Sequence, residues 1–441
     1  MNLYDALNER LLALYYPQRA IRGKIPMATA DGKRPVYIIV ANHPNGLLDP
    51  LMVRLLLKPA GGPRPGFLAK STFWANPVGR LAMTAAGAMP VYRAHEADTS
   101  RNEETFSRCR AMLKSGGWLA LFPEGKSHSE PTLQPIKSGA ARIALSTLEE
   151  APDLPLTILP LGIFYEDKAV FRSRTAGTVG EPVPVRDLLE QYRADPKVAV
   201  DLLTERIEEA LGAVVLQGET EELRRGFFAV AGWTAARRAT GGSAPPLKDL
   251  ALQEARAREL AALWAATPPE QRRVAVEAFG RFEARMAELG VDDPLAVLQP
   301  RLGRVFARTV GLVALAPFAL LGAVLGWLPY RAVRPIANRL AAGNDDVLGT
   351  IKVLLGLLVM TINYTVLALI AGWLLGPPIG VATFVLGPLS GYMALRFDER
   401  LALRLEALRG VWSARDGDVR AAVAREREVL IGVVAATAAP A

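Results

Sequence analysis

What most constrains the fold is a set of apolar runs in the last third of the chain. Thr309–Leu328 has no charged residue in twenty positions. A helix rises about 1.5 Å per residue, so such a run matches a hydrocarbon core of about 30 Å. Val353–Leu375 is a second run, and Ile379–Leu395, after the Gly376-Pro377-Pro378 break, is a shorter third. Trp327, Tyr330, Trp373 and Tyr392 stand near the run ends, where interfacial aromatics concentrate. The competing reading is a set of helices buried in a protein core. A hydrophobic fraction of 51% beside 22% charged residues better fits a folded polar part joined to membrane segments.

Basic residues flank the runs. Arg301, Arg304 and Arg308 precede the first, Arg331, Arg334, Arg339 and Lys352 separate the first two, and Arg396, Arg400 and Arg404 follow the third. If all three runs crossed, one basic group would lie outside, against the positive-inside tendency. Pro317, midway along the first run, offers a place to bend. The expectation is a re-entrant first run followed by a true hairpin.

The formal net charge of +8 suits nucleic acid, an anionic membrane surface or a phosphorylated substrate. Neither zinc-finger spacing nor a ribonucleoprotein-type aromatic signature is present, so no nucleic-acid partner is expected. Cys109 is the single cysteine, which excludes an intrachain disulfide and a multi-cysteine metal site. No metal and no cofactor are expected. Asp5, Asn8, Glu9 and Arg10 interrupt the N-terminus, so it has no secretory signal core. Leu3, Leu7, Leu11 and Leu14 recur at helical spacing and predict a short amphipathic packing helix.

Residues 35–165 alternate strand-like and helix-like segments. Val36–Val40, Ala88–Tyr92, Trp118–Phe122 and Leu156–Ile163 read as strands, and Leu51–Leu57, Arg101–Lys114 and Gly139–Glu149 as helices. The fold class expected is α/β, a mixed sheet flanked by helices, followed by a helical connector and C-terminal membrane helices. Val198–Val215, Thr220–Arg238, Leu247–Ala266 and Pro268–Leu289 are helical in pattern, with a linker at Gly241–Pro246. The boundaries proposed are an N-terminal segment 1–30, a catalytic-type domain 31–216, a connector 217–300, a membrane region 301–396 and an amphipathic tail 397–441.

One motif in this layout points to chemistry. In Asn42-His43-Pro44-Asn45-Gly46-Leu47-Leu48-Asp49-Pro50 a histidine and an aspartate are separated by a turn directly after a strand. Gly46 is free to take positive φ. Asp49 before Pro50 reads as an N-cap with proline at the first helical position. One carboxylate oxygen would cap the helix while the other accepts from His43, which fixes the imidazole tautomer and favours proton uptake. The bland alternative is a capping aspartate beside a surface histidine.

Further loops follow strand ends: Gly87-Ala88-Met89-Pro90-Val91-Tyr92-Arg93, Phe122-Pro123-Glu124-Gly125-Lys126-Ser127, and Ile158-Leu159-Pro160-Leu161-Gly162. With the histidine motif they resemble, in order, the four blocks of the PlsC-type glycerol-phosphate and lysophosphatidate acyltransferases. Leu133–Arg142, and Gly343–Lys352 between the apolar runs, look like the longer, membrane-tailed glycerol-3-phosphate acyltransferase branch.

The resemblance implies transfer of a fatty acyl group from acyl-CoA or acyl carrier protein to a hydroxyl of glycerol 3-phosphate, at the cytoplasmic face of a lipid bilayer. Lysophosphatidate or another lysophospholipid is the alternative acceptor. It makes His43 the general base and Asp49 its partner. Arg93 resembles the family's phosphate-binding arginine, and Glu124 and Gly125 the block shaping the acceptor site. A carboxylate repels phosphate, so Glu124 is expected to orient Arg93, Lys126 or the acceptor hydroxyl. Lys70 and Lys137 are either further phosphate cations or solvated surface. His128 lies in the third loop, His95 reads as surface, and Cys109 as an inert buried thiol. Ser71 and Ser127 have no nucleophile elbow around them. A membrane-anchored lipid-binding protein with a structural His–Asp pair is the reading from another class.

Overall fold

The computed structural model describes residues 3–29, 31–75, 77–92, 102–235, 250–300 and 302–437. The chain folds as two compact units. The first comprises Met1–Phe228, Asp249–Ala261 and Asp345–Gly349; the second comprises Ala229–Lys248, Ala262–Asn344 and Thr350–Ala441.

The first unit is built on an eight-stranded mixed sheet. Its strands are β1 (Gln18–Arg22), β2 (Val36–Ala41), β3 (Gly66–Lys70), β4 (Ala88–Val91), β5 (Leu119–Leu121), β6 (Leu156–Tyr165), β7 (Arg174–Val179) and β8 (Val183–Pro184). The order is β1-β7-β6-β2-β5-β3-β4, with β8 paired to β6. β2 runs parallel to both β5 and β6, and β3 is parallel to β4 and β5. β7 and β8 are antiparallel to β6.

All six residues of β2 are buried, as expected for a strand covered on both faces. Around the sheet lie α1 (Leu3–Tyr15), α2 (Leu48–Leu57), α3 (Pro77–Ala85), α4 (Asn102–Lys114), α5 (Gly139–Glu150), α6 (Leu189–Ala194) and α7 (Pro196–Gly212). Val36, Ile38 and Val40 join Leu119, Leu121 and Ile158 in one apolar cluster with Leu113 of α4, Ile143 of α5 and Leu203 of α7. Each buried aliphatic side chain contributes about 1.5–3 kcal/mol. Leu56 of α2 reaches Gly177 of β7. The carboxyl ends of the parallel strands β2, β5 and β6 are thereby fixed, and the loops leaving β2 and β5 carry the motifs read from the sequence.

The α/β class is as expected, with differences at its margins. β1, β3, β7 and β8 were not anticipated, being short or rich in Gly, Arg and Thr. The N-terminal helix forms, but its buried face is not the leucine stripe: Leu7 and Leu14 are exposed, while Leu12, Tyr15 and Tyr16 are buried. Tyr15 packs edge-on against Phe171 at 5.3 Å, and Tyr16 tilts against Tyr165 at 5.0 Å. Aromatic partners therefore set its rotation. Helices α8 (Glu221–Ala235) and α9 (Leu250–Ala266) follow, and the expected linker Gly241–Pro246 lies outside the described residues.

The second unit is helical. α10 (Pro269–Leu289), α11 (Leu295–Leu298), α12 (Leu302–Ala341), α13 (Asp345–Leu375), α14 (Pro377–Ser413) and α15 (Gly417–Thr437) follow in order. Three stretches, Gly311–Ala341, Val347–Leu375 and Pro377–Ser413, are helices long and apolar enough to cross a membrane. The re-entrant first run does not form: α12 is one continuous helix of 40 residues with Pro317, Pro329 and Pro335 inside it. A proline removes one helical donor and bends the axis, but reversal needs a non-helical turn. Gly322 of α12 sits against the Ser390 backbone of α14, and Tyr364 of α13 against Gly387 and Gly391. Asn363 Nδ2 donates to the Leu325 carbonyl at 3.1 Å. Small residues and an interhelical amide bond are the usual means of packing helices in an apolar phase.

Candidate active site

His43 leaves the end of β2, and the chain turns through Pro44-Asn45-Gly46 into α2. Gly46 has φ +49°, the left-handed conformation expected of it. The helix starts earlier than the sequence suggested, at Leu48, with Leu47 rather than Asp49 at the N-cap position and no side-chain cap. Asp49 sits in the first turn, and its carboxylate is used otherwise. Oδ2 lies 2.8 Å from His43 Nδ1 and accepts from the Asn45 backbone N–H at 2.7 Å. Oδ1 accepts from the Tyr165 hydroxyl at 2.8 Å.

This arrangement sets the tautomer. A carboxylate only accepts, so the proton between Asp49 and His43 belongs to Nδ1, and Nε2 of the neutral ring carries the lone pair. The Asp49 side chain is fully buried, whereas that of His43 is 18% exposed. The imidazole lies almost flat on Phe122 at the end of β5, with ring centroids 4.1 Å apart and planes 15° from parallel. A ring held by a carboxylate at one edge and an aromatic on one face has little rotational freedom left.

Behind the pair lies a buried polar network. Asn45 Nδ2 donates to the Tyr16 hydroxyl at 2.7 Å, and Tyr16 donates onward to the Lys168 carbonyl at 2.8 Å. Lys168 Nζ donates to the Pro44 carbonyl at 2.7 Å. Burial raises the Tyr16 and Tyr165 phenols well above their ordinary range, so both remain neutral donors.

The loop after β5 is tied to the histidine loop through Glu124. Its Oε1 accepts from the His43 backbone N–H at 2.8 Å, and its Oε2 from the Gln134 N–H at 3.0 Å and from His128 Nε2. The His128 N–H returns a bond to the His43 carbonyl at 3.1 Å. Glu124 was expected to orient Arg93, Lys126 or the acceptor hydroxyl; among the described residues this buried carboxylate accepts from backbone and imidazole donors. Gly125, at φ +75°, has Lys137 laid over it, where a Cβ would collide with Nζ.

Lys126 and Lys137 are exposed, and Lys70 is half-buried at the end of β3. The three lysines thus follow the carboxyl-terminal ends of β3 and β5. Arg93 and His95 lie outside the described residues. Cys109 is buried in α4, and burial pushes its thiol up to about 12.

The acyltransferase family profile matches residues 24–163, which contain His43, Asp49, Glu124 and Gly125. This chain carries an acyltransferase domain. Glycerol-3-phosphate O-acyltransferase 2 of Saccharomyces cerevisiae is 36% identical over 114 residues, 26% of this chain and 15% of the yeast protein. Glycerol-3-phosphate O-acyltransferase 1 of the same yeast is 31% identical over 104 residues, 23% of this chain and 14% of its own length. These matches span well under a fifth of the relatives. Among solved structures, the 1-acyl-sn-glycerophosphate acyltransferase PlsC of Thermotoga maritima aligns at TM-score 0.32 and 17% identity, over 46% of this chain and 77% of that one.

Beside the His43 loop the acyltransferase unit holds a cavity of about 400 Å³, lined in part by Asn42, Glu124, His128, Lys168, Arg224 and Asp345. Its cations are already engaged: Arg224 pairs with Glu221 at 2.7 Å, Arg225 faces Asp167 at 3.7 Å, and Lys168 Nζ donates to the Pro44 and His128 carbonyls and to the Ser129 hydroxyl. Such an internally compensated wall is a poor phosphate receptor, so the exposed lysines are the better candidates. Sequence reasoning missed Asn45, Tyr16, Tyr165, Phe122 and Lys168. Only Asn45 and Phe122 lie within the quoted motifs, where each had been read as turn or strand.

Proposed function

We propose that the protein is a membrane-bound O-acyltransferase that moves a fatty acyl group from an acyl thioester to a hydroxyl of glycerol 3-phosphate. The observation that carries this reading is the His43 ring, fixed by Asp49 at Nδ1 and by Phe122 on its face, with Nε2 left for a substrate. The acceptor hydroxyl attacks the thioester carbonyl while Nε2 takes its proton. The tetrahedral intermediate then collapses, the C–S bond breaks, and the imidazolium returns the proton to the leaving thiolate. Positioned general-base assistance is worth about 10²–10⁴-fold. No acyl-enzyme is required, and neither is a cofactor beyond the two substrates.

Lys70, Lys126 and Lys137 follow the strand ends on the β3 and β5 side of His43, and we assign them to the acceptor phosphate, with Arg93 as a fourth cation. The acyl donor is acyl-CoA or acyl carrier protein. The three apolar helices hold the domain at the bilayer, where a polar acceptor from water meets an apolar acyl chain, and we place the domain on the cytoplasmic side. The similarity to two yeast glycerol-3-phosphate O-acyltransferases supports glycerol 3-phosphate as acceptor.

The test uses purified full-length protein in detergent with radiolabelled acyl-CoA and either glycerol 3-phosphate or lysophosphatidate, beside a His43→Ala variant. Labelled product from glycerol 3-phosphate that requires His43 supports the reading. Product from lysophosphatidate alone replaces the acceptor, and transfer undiminished in His43→Ala removes the mechanism.

A further inference from the structure

The first turn of α13, Asp345–Gly349, far along the chain from the motif loops, belongs to the acyltransferase unit. Gly349 is buried in it. A Cβ at Gly349 would stand 2.5 Å from Asn45 Oδ1 and 2.8 Å from the Lys168 carbonyl oxygen. Both residues belong to the network behind the His43–Asp49 pair. The backbone N–H of Asn45 donates to Asp49 Oδ2, and its amide nitrogen donates to Tyr16, which in turn holds the Lys168 carbonyl. Asn45 is fully buried, and its Oδ1 has no hydrogen-bond partner among the described residues. On that side the amide faces the Gly349 backbone, with no room for a side chain between them. Asp345 of the same turn lines the cavity together with Pro44 and Lys168.

We infer that Gly349 is a positioning residue for the His43–Asp49 pair. Its missing side chain lets the turn close on Asn45 and Lys168, so that the loop carrying the general base is supported from a third side. Resting on the acyl transfer proposed above, the inference assigns part of the catalytic unit to residues outside the matched stretch 24–163. A purely local role predicts the opposite of what the contacts predict. In a helix, glycine is the weaker former by about 1 kcal/mol, so Gly→Ala is ordinarily stabilising. Here the added methyl must displace a buried amide or a backbone carbonyl, and the displacement is transmitted to Asn45 and Asp49.

The experiment compares Gly349→Ala with Gly356→Ala in the full-length protein in detergent. Gly356 lies on the same helix, and among the described residues a Cβ built there meets nothing within 4 Å beyond its own stretch of helix backbone. Steady-state kinetics are read together with amide hydrogen exchange of the peptide spanning residues 43–49. Gly349→Ala is expected to lower kcat about tenfold to a hundredfold, the scale of a displacement near 1 Å. The acceptor KM should stay within about twofold, with faster exchange confined to that peptide, and Gly356→Ala should behave as wild type. In an active wild-type background, unchanged kcat or unchanged loop exchange in Gly349→Ala overturns the inference. If the wild type transfers no acyl group, the proposed reaction fails separately, and the loop exchange alone decides: faster supports the third-side support and unchanged sinks it. Should Gly349→Ala lose its melting transition, the Asn45→Ser/Gly349→Ala double variant, with its shorter facing side chain, should regain it. No recovery there also overturns the inference.

Discussion

Tyr165 donates its hydroxyl to Asp49 Oδ1 at 2.8 Å, the carboxylate oxygen that His43 does not use. The carboxylate is therefore held from both ends. With the phenol pushed well above its ordinary range by burial, this donor persists across the neutral range. Tyr165→Phe leaves the ring packing and removes the bond. Leaving a buried acceptor short of a donor costs about 1–3 kcal/mol, so kcat should fall about tenfold with acceptor KM little changed. Steady-state kinetics check this, and an unchanged kcat would show that Asn45 and His43 orient Asp49 unaided.

Glu124 separates two ideas of what the Phe-Pro-Glu-Gly block does. If its carboxylate arranged the acceptor, Glu124→Gln would act mainly on acceptor KM. Its partners here are the backbone of His43 and Gln134 and the ring of His128. A glutamine can keep one acceptor but turns an NH₂ toward the remaining donors. The expected result is a fall in kcat of about tenfold or more, a lower melting temperature, and an acceptor KM within about twofold of wild type. A change confined to KM contradicts the geometry.

Gly125 and Lys137 should give related phenotypes. A Cβ at Gly125 collides with Lys137 Nζ, and φ +75° disfavours any L side chain, at a cost of about 1–2 kcal/mol. Lys137→Met is expected to raise acceptor KM severalfold, with kcat preserved and a weaker dependence of KM on salt. Gly125→Ala should reproduce that rise and add a loss of stability. An unchanged KM in Lys137→Met would remove this lysine from the proposed phosphate site.

These contrasts mark where the sequence was readable. The His43 loop declared itself because strand, turn glycine and carboxylate lie within a few residues, and the parallel core strands did so through β-branched runs. Asp49 was misassigned as a cap because Asp-Pro is a local signal, whereas the oxygen left over from His43 accepts from the distant Tyr165. Tyr165 and Tyr16 are linked to the loop by pairings 116 and 29 positions apart, which no local pattern encodes. Phe122 looked like an ordinary strand end, and only the register of β5 beside β2 puts its ring under His43. The Pro317 bend was overread because charge patterning speaks to crossings, not to whether a helix stays unbroken.

Cys109 provides a test with a worked pH direction. It is the single cysteine of the chain and is buried in α4 beside the sheet. Burial raises its thiol from 9.0 to about 12. A thiolate is the reactive form, so N-ethylmaleimide at pH 8 should leave the folded protein unlabelled and take up one equivalent after denaturation. The unfolded chain ionises near 9.0 while the fold keeps the thiol neutral to about 12. The contribution to stability is thus fully present below pH 9.0 and is lost as pH rises toward about 12. Thermal unfolding between pH 8 and 11 should show a steeper alkaline decline in wild type than in Cys109→Ala, since lysines and tyrosines contribute equally to both. The variant should also keep its acyl-transfer rate, because the proposed direct attack on the thioester needs no enzyme thiol. Rapid labelling of the folded protein, or loss of transfer in Cys109→Ala, would return the thiol to the mechanism.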